Sequence, residues 1–357
     1  MRRKAEARRF GPAVAALMLP LAVSLFVLAT AAVAQKPLVT ETKPVAIAAR
    51  PLAGFDREDL DRQDFGRLRW RGGLVLNSSA EEFGGWSGLV LDDQGRRLLA
   101  VSDTGAWLTA ELTYDGRRPA GLRRSWIGPL QALSGKPLTR TRDRDAESVA
   151  LAEGTLKDGL VLIGFEGNDR IGRFRMTEAG PSAPLHYVDL PPEARRMGSN
   201  GGFEAISVLK SGRLEGSMIA FAERLLDEHG NHTGWVWVDG KPQVLHLVDI
   251  GGFDITDAAA LDDGGLLILE RRFRWTEGVK MRLRLIPADE IAPGALMRGE
   301  VLFEGDMAYD IDNMEGVAVH RDPHGETVVT LLSDDNFNPI LQRTLLLQFT
   351  LKDKPED

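Results

Sequence analysis

The amino-acid sequence predicts an all-β protein, and more specifically a β-propeller of five four-stranded blades. Three observations support this prediction. A strand-turn-strand unit recurs five times, apolar residues alternate with polar ones within each unit, and the two ends of the repeated region are complementary. A four-stranded unit that repeats every 50–60 residues or so is typical of propeller blades.

The repetition is clearest in the first strand of each unit, where a polar residue is followed by small and apolar residues. Alignment of these polar residues gives spacings of 60, 57, 53 and 58 residues. Such regularity indicates one structural unit copied five times. The aligned residues are Ser87, Glu147, Glu204, Asp257 and Glu315.

A second apolar strand follows a glycine-containing turn in every unit and ends at an acidic residue. Third and fourth strands are also predicted, as at residues 173–176 and 186–189 of the second unit. Alternation bounded by Gly, Pro and Asp is the pattern of half-buried strands. The acids that end the second strands are Asp103, Glu166, Glu223, Glu270 and the pair Asp334-Asp335.

The ends of the repeated region predict how the ring closes. The fifth unit stops after its third strand, at 344–351, and a spare strand at 68–76 precedes the first unit. Pairing of these two strands would close the propeller and remove two open sheet edges. A sixth, diverged blade around residues 105–145 and a pair of β-sandwiches are the alternatives.

The N-terminal segment predicts export. Basic residues precede an apolar run from Ala13 to Ala34, which ends in the Ala-Val-Ala pattern of a signal-peptidase site. We therefore predict a signal peptide at 1–34, a linker at 35–66, the propeller at 67–352 and a tail at 353–357. The predicted location is the periplasm or the exterior. An uncleaved run of about 22 apolar residues would instead anchor the protein in a membrane.

Composition excludes several classes of function. The formal net charge is −8, and removal of the basic leader makes it more negative, so no nucleic-acid partner is expected. No membrane partner is expected unless the leader is retained. The absence of cysteine excludes disulfides, thiolate catalysis and cysteine-ligated zinc. No Gly-x-Ser-x-Gly elbow and no phosphate-cradling glycine loop is found, so no organic cofactor is predicted.

Antiparallel pairing places the start of a first strand beside the end of the second strand. The acids of each unit should therefore meet at one end of the propeller channel, with Glu147 beside Glu166 and Glu204 beside Glu223. Carboxylates this close repel one another unless they are protonated, paired or bound to metal. Ca²⁺ or Mg²⁺ would suit such oxygen ligands. The alternative is a structural role, in which the acids accept backbone N–H groups.

Candidate roles follow from these positions. Residues that interrupt the repeat, such as the Arg271-Arg272 pair, are the better candidates for a function that only one blade performs. The predicted metal ligands are Glu147, Glu166, Glu223, Asp257, Glu270 and Asp335. The predicted catalytic residues are Glu204, Glu315, Arg271 and Arg272, and the predicted substrate-binding residues are Arg224, Asn313 and Asn336.

Several motifs resemble the phytase-like domain family, also described as "esterase-like activity of phytase". The resemblance covers about residues 70–350. It implies a propeller, an exported location and hydrolysis of phosphate or carboxylic esters, with acid-ligated Ca²⁺ over the channel mouth as in propeller phytases. The motifs are Gly85-Trp86-Ser87-Gly88-Leu89, Ser102-Asp103-Thr104-Gly105, Asp145-Ala146-Glu147-Ser148, Asn200-Gly201-Gly202-Phe203-Glu204-Ala205, Ile255-Thr256-Asp257-Ala258, Glu270-Arg271-Arg272-Phe273, Asp312-Asn313-Met314-Glu315-Gly316-Val317 and Ser333-Asp334-Asp335-Asn336-Phe337.

Two functional hypotheses follow. The first is a metal-dependent phosphoesterase that acts on a small-molecule ester or phosphoester at the acidic ring. The second is a non-catalytic binding or scaffold propeller of the cell envelope, in which acids and arginines form structural pairs. Only the first predicts an activity that chelation removes.

Overall fold

The computed structural model describes residues 36–198 and 201–353. The predicted signal peptide and Asn200 lie outside these residues. The described chain forms five sheets, antiparallel except for one short parallel pair at the edge of the third, whose innermost strands contact one another in a closed ring. The fold is therefore a five-bladed β-propeller, as predicted. None of the helices in the described ranges is long and apolar enough to span a bilayer.

The N-terminal third of the described chain forms the first blade and parts of the last. Blade 1 has the order β1-β8-β7-β6-β5, with β5 innermost. The strands are β1 (Lys43–Pro44), β2 (Ile47–Pro51), β3 (Asp64–Phe65), β4 (Leu68–Ser78), β5 (Trp86–Leu91), β6 (Arg97–Ser102), β7 (Ala106–Asp115) and β8 (Arg118–Pro129).

Blades 2 and 3 follow a helical turn at Thr141–Arg144. Blade 2 runs β9-β10-β11-β12 outward from the axis, and blade 3 runs β13-β14-β15-β16 with β20 added at its outer edge. A 3₁₀ turn at Pro192–Arg196 joins the two blades. The strands are β9 (Ala146–Gly154), β10 (Gly159–Phe165), β11 (Arg170–Thr177), β12 (Gly180–Tyr187), β13 (Phe203–Val208), β14 (Met218–Leu226), β15 (His232–Val238) and β16 (Lys241–Leu247).

Blades 4 and 5 complete the ring. Blade 4 runs β17-β18-β19-β21 outward, and blade 5 runs β22-β23-β24-β4-β2, with β3 paired to β4. A second 3₁₀ turn lies at Ala288–Glu290. The strands are β17 (Asp254–Ala260), β18 (Leu266–Arg274), β19 (Gly278–Ile286), β20 (Leu296–Met297), β21 (Glu300–Gly305), β22 (Asn313–Arg321), β23 (Thr327–Asp334) and β24 (Thr344–Leu351).

The ring closes as the sequence predicts. Strand β4 pairs antiparallel with β24, with Leu74 opposite Leu346 and Leu76 opposite Thr344. The alternative of a sixth blade at 105–145 is excluded, because most of that region forms the two outer strands β7 and β8 of blade 1.

The segment predicted as a linker is part of the folded domain, which corrects that prediction. Its strands β1 and β2 extend the sheets of blades 1 and 5. Phe55 and Phe65 are fully buried in an aromatic cluster with Trp70, Phe303 and Phe349. The segment was missed because its strands are short and irregular, while its burial depends on partners far away in the sequence.

The inner strands are built from small residues because five sheets converge on a narrow axis. Gly88 on β5 shows the constraint: a Cβ atom at this position would lie 2.8 Å from the backbone nitrogen of Val149 on the neighbouring blade. Larger apolar side chains fill the spaces between blades, including Trp86, Trp107 and Trp235. The axis is therefore tightly packed, with a small cavity of about 80 Å³ among the far ends of the inner strands and a larger one where these strands begin.

Candidate active site

A β-bulge occurs at the same place in the innermost strand of every blade. In blade 3, Phe203 pairs with Ala222 and Ala205 pairs with Phe221, so Glu204 is the extra residue. A bulge of this kind changes the direction in which a side chain points and often lies beside an active site. The five bulged residues are Ser87, Glu147, Glu204, Thr256 and Glu315.

Beside each bulge, the second strand contributes the residue that comes just after the partner of the residue preceding the bulge. This residue adjoins the start of the inner strand: the backbone N–H of Glu166, for example, donates to the carbonyl oxygen of Asp145 over 2.8 Å. In the five blades, in order, these residues are Asp103, Glu166, Glu223, Arg271 and Asp334.

Apart from Thr256, the residues of the two sets meet in a cavity of about 700 Å³ at one end of the axis, which we call the acidic cup. Neutral polar and apolar side chains surround its mouth. Arg224 and Arg271 are the basic residues among those that line it. The carboxylates that line it are Asp103, Glu147, Glu166, Glu204, Glu223, Asp312, Glu315 and Asp334. Eight carboxylates with two arginines make the cup strongly attractive to cations.

Blade 4 corrects the sequence alignment by one residue. The structure places Thr256 at the bulge and Arg271 at the end of the second strand, where the alignment places Asp257 and Glu270. Because strand side chains alternate between faces, a shift of one residue moves a side chain to the other side of the sheet. Asp257 and Glu270 are both 0% exposed, and neither lines the acidic cup.

Glu270 belongs to a buried ionic network between blades 3 and 4. Its carboxylate forms an ion pair with the fully buried Arg284 and lies 3.6 Å from Arg282. The guanidinium of Arg284 also donates to the carbonyl oxygen of Val248 over 2.8 Å. Burial raises the pKa of Glu270, and the two arginines oppose that shift. The residue predicted as a metal ligand is therefore a structural countercharge.

Asp257 joins inner strands across the axis. Its two carboxylate oxygens accept the N–H groups of Ala258 and Val317, each over 2.8 Å. A further bond comes from the backbone of Leu89 on blade 1. Burial raises the pKa of Asp257 well above its usual value, and the backbone donors oppose that rise. The side chain thus connects blades 4, 5 and 1 below the cup, as the structural alternative for these acids predicts.

Two other predicted site residues also lie outside the cup lining. Arg272 points to the opposite side of β18, where it pairs with Glu277 at 2.6 Å and donates to the carbonyl oxygen of Gly251 over 2.7 Å. Asp335 accepts the N–H of Phe337 over 3.1 Å and shapes its own turn. The neighbouring Asp334 is the blade 5 acid that faces the cup. The remaining predicted residues line the cup: Glu147, Glu166, Glu204, Glu223, Arg224, Arg271, Asn313, Glu315 and Asn336.

Blade 2 carries the group best arranged to hold a metal ion. One carboxylate oxygen from each of Asp145, Glu147 and Glu166 lies within 4.8 Å of the other two. Burial raises the pKa of all three, and the pKa of Glu147 is raised further by Glu204 and Asp145. Three close carboxylates that repel one another are a donor set that fits a hard divalent cation such as Ca²⁺.

Blade 3 carries two acids whose pKa values are strongly raised. Burial raises the pKa of Glu223 to about 7, against the opposing effect of Arg224 at 3.0 Å. Glu204 is 8% exposed and forms no ion pair within the described part of the chain. Its pKa is raised well above the usual value by burial and then by Glu223, Glu166 and Glu315. Both groups are suited to proton transfer.

The two arginines of the cup are held differently. Arg271 is partly buried, and its Nε lies 3.2 Å from the carboxylate of Glu315, which raises the pKa of the arginine. Arg224 is half-exposed and bridges Glu223 at 3.0 Å and Asp254 at 3.1 Å. Each presents a guanidinium to the cavity, and a planar guanidinium is well suited to bind a phosphate or carboxylate.

Sequence reasoning missed two charged residues of the site. Asp145 precedes β9, at a position where blades 1 and 3 have Gly85 and Gly202. An acid in place of this glycine is a departure from the repeat that could have identified Asp145 as a site residue. Lys36 forms an ion pair with Asp103 at the cup mouth. Burial alone would lower the pKa of Lys36, but Asp103 outweighs that effect and raises it. No sequence pattern pointed to this lysine.

A strained turn links blades 5 and 1 at the mouth. Asn336 and Phe337 adopt φ values of 49° and 52°, a region that side chains other than glycine seldom occupy. The ring of Phe337 lies over Gly84 and Gly85, and a Cβ atom on Gly85 would come within 2.6 Å of it. The segments that contain Gly85 and Asn336 therefore pack against each other, and this contact places Asn336 at the cup.

Comparison with known proteins agrees with this architecture. The family model described as "Phytase-like: Esterase-like activity of phytase" matches residues 81–337, most of the chain. The chain belongs to this family. The match extends from the segment just before β5 into the strained turn after β23, so the bulges and the acids of the cup all lie within it. No curated protein matches the chain in sequence.

Solved structures with a similar outline are distant. The Dos1 propeller is 8% identical, covers 81% of this chain and 76% of its own, and has a TM-score of 0.36. The propeller domain of Cps50 (Swd1) from Myceliophteria thermophila is 11% identical over 89% and 99% of the two chains, with a TM-score of 0.39. A gluconolactonase from Xanthomonas campestris is 12% identical over 87% and 97%, also with a TM-score of 0.39.

Proposed function

We propose that this phytase-like propeller is an exported, metal-dependent phosphoesterase that acts at the acidic cup. The observation that carries the proposal is the blade 2 group: oxygens of Asp145, Glu147 and Glu166 lie within 4.8 Å of one another, and Glu147 and Glu166 line the cavity that also holds two arginines. Membership of the family supports ester hydrolysis, and the basic and apolar leader supports export.

The three blade 2 carboxylates would hold the cation, with Ca²⁺ preferred over Mg²⁺ because oxygen ligands from a flexible set suit the larger ion. When bound, the cation would supply positive charge that polarises a phosphoryl oxygen and offsets the repulsion among the acids. Without such a charge, phosphate would be repelled by eight carboxylates.

The chain's own residues supply binding and proton transfer. Arg271 and Arg224 face the cavity from blades 4 and 3, where their guanidinium groups can bind and orient the non-bridging oxygens of a phosphate. Glu223, with a pKa raised to about 7, can accept a proton at one carboxylate oxygen and release it near neutral pH. Glu204, whose pKa is raised well above its usual value, can donate a proton to the oxygen of the leaving alcohol.

Calcium calorimetry and phosphomonoester turnover on the purified protein test this proposal. We expect calcium binding, turnover that a chelator abolishes and calcium restores, and loss of both in Glu147→Gln. The matched control is Glu228→Gln, an exposed acid of the β14–β15 turn that does not line the cup, which should change neither property.

The competing hypothesis is a binding or scaffold propeller, and the pairing of Arg271 with Glu315 and of Arg224 with Glu223 favours it. Neither calcium binding nor turnover in the wild-type protein would contradict the phosphoesterase and support the scaffold. Calcium binding without turnover of any phosphomonoester would likewise remove the catalytic claim, while leaving the metal site.

A further inference from the structure

One side of the cup mouth is apolar. Five exposed side chains from the end of β18 and from three loops of blades 4 and 5 are together called the apolar rim: Phe273, Trp275, Met307, Ile340 and Leu341. Trp275 is 93% exposed, Ile340 91% and Leu341 78%. Large apolar side chains scattered over a surface are ordinary, but a group of five at a cavity mouth marks a contact site.

The rim is continuous on the blade 4 side. The rings of Phe273 and Trp275 pack edge to face with centroids 5.3 Å apart. Gly278, across the same hairpin, lies against Met307, whose Cγ would be 3.5 Å from a Cβ at that glycine. By contrast, the loops of blade 2 at this face carry polar contacts, such as Asn168 with Asp143 at 3.1 Å. The mouth is thus apolar on one side and polar on the other.

The rim and the carboxylates share one cavity. Phe273, Val279, Met307 and Leu341 line the same space of about 700 Å³ as the acids and arginines. An occupant of the cup therefore touches the apolar wall on the way in. This continuity indicates a ligand narrow enough to enter the cavity and apolar over part of its length.

The register of β18 sets the spacing between the two kinds of contact. Arg271 and Phe273 are two residues apart on one strand, so their side chains lie on the same face, about 7 Å apart along the strand. If Arg271 binds one end of a ligand, the part of the ligand only a few bonds away would therefore lie against the apolar wall.

We propose that the cup accepts amphiphilic phosphoesters, in which an apolar chain or ring lies over Phe273, Met307 and Leu341 while the phosphate contacts Arg271. This inference rests on the proposed phosphoesterase function and adds its substrate class. A fully buried methylene contributes about fourfold in affinity. Even a partly covered eight-carbon chain should therefore be preferred at least about tenfold over a two-carbon chain.

The test compares n-octyl phosphate, kept below its micelle-forming concentration, with ethyl phosphate on the purified full-length protein. We expect kcat/KM to favour the octyl ester at least about tenfold. Leu341→Ser and Phe273→Ser should each reduce that ratio at least about threefold. Leu185→Ser, which removes an exposed leucine from the outer strand of blade 2, is the matched control and should leave the ratio unchanged.

Calorimetric binding of the two phosphates separates failure of this inference from failure of the proposed function. If both esters are hydrolysed with equal kcat/KM, or if the rim variants keep the wild-type ratio, the amphiphile inference is overturned and the hydrolase stands. If neither ester is hydrolysed but octyl phosphate binds more tightly than ethyl phosphate, and Leu341→Ser removes that difference, the hydrolase fails and the amphiphile site stands. Absence of both turnover and binding overturns both.

Discussion

The acids of blade 3 and those of blade 4 share one sequence pattern but have opposite environments. Glu204 and Glu223 face the cup and carry raised pKa values in a like-charged cavity. Asp257 and Glu270 are fully buried, and they are satisfied by backbone N–H groups and by arginines. The difference arises from one residue of register, because the bulge falls on Thr256 in blade 4. Acids of the first kind cost stability and belong to the proposed site, and acids of the second kind hold the blades together.

The largest expected effect is on stability, from the buried acid Glu270. Glu270→Gln should lower the free energy of unfolding by about 3–5 kcal/mol, because it leaves Arg284 buried without its countercharge. Urea unfolding in the presence of chelator measures this. In the same conditions Glu204→Gln should be neutral or stabilising, since it removes one of several repelling charges. Equal losses of unfolding free energy in Glu270→Gln and Glu204→Gln would contradict the distinction between buried structural acids and cup acids.

The next effect concerns pH. The carboxyl of Glu223 has an ordinary pKa of 4.5 and one of about 7 in the folded protein. Between these values the folded state holds more protons than the unfolded state, so stability falls as pH rises. The contribution of this group is at most about 3 kcal/mol. Thermal unfolding with chelator from pH 4.5 to 7.5 should show the decline, and Glu223→Gln should reduce it.

Calcium should flatten that decline, because a bound cation favours the ionised carboxylates. The matched control for the pH series is Asp227→Asn. Hydrogen bonds from Asn231 lower the pKa of Asp227 to about 2, so its titration lies below this range. A stability that rises between pH 4.5 and 7 in the wild-type protein would contradict the account of the cup.

A smaller loss is expected at the axis. In Asp257→Asn one carboxylate oxygen becomes an amide NH₂, which cannot accept the N–H of Val317 or Ala258. A buried donor without an acceptor costs about 1–3 kcal/mol. Denaturant unfolding should show this loss, while calcium affinity measured by calorimetry stays unchanged. A changed calcium affinity with unchanged stability would place Asp257 in the cup after all.

The smallest effect concerns Lys36 at the mouth. Its ion pair with Asp103 is half-exposed and should contribute less than about 1 kcal/mol to stability. Lys36→Ala removes a positive charge that competes with a bound cation, so calcium affinity should rise by a few-fold at most. Calorimetry at low and at high ionic strength checks this, and the gain should shrink at high salt. Weaker calcium binding in the variant would show that Lys36 supports the site.

Much of the fold could be predicted from the sequence because repetition records it directly. Alternation and spacing can be read from the sequence alone. They were enough to predict the five first strands, the acids at strand ends and the pairing of 68–76 with 344–351. The role of residues 36–66 could not be predicted. Their strands are short, and the burial of Phe55 is created by Phe303, Tyr309 and Phe349, which lie far along the chain.

The sequence by itself determined that acids recur at the ends of paired strands, and hence that one end of a propeller should be acidic. Only the tertiary structure decided which acids face the cup. Asp257 and Glu270 continue the sequence pattern, yet each lies one residue out of register with the cup acids of the other blades, so both face the interior and Arg271 faces the cavity. The physical reason is the two-residue period of a strand: a shift of one residue places a side chain on the opposite face, and spacing alone does not reveal where the bulge falls.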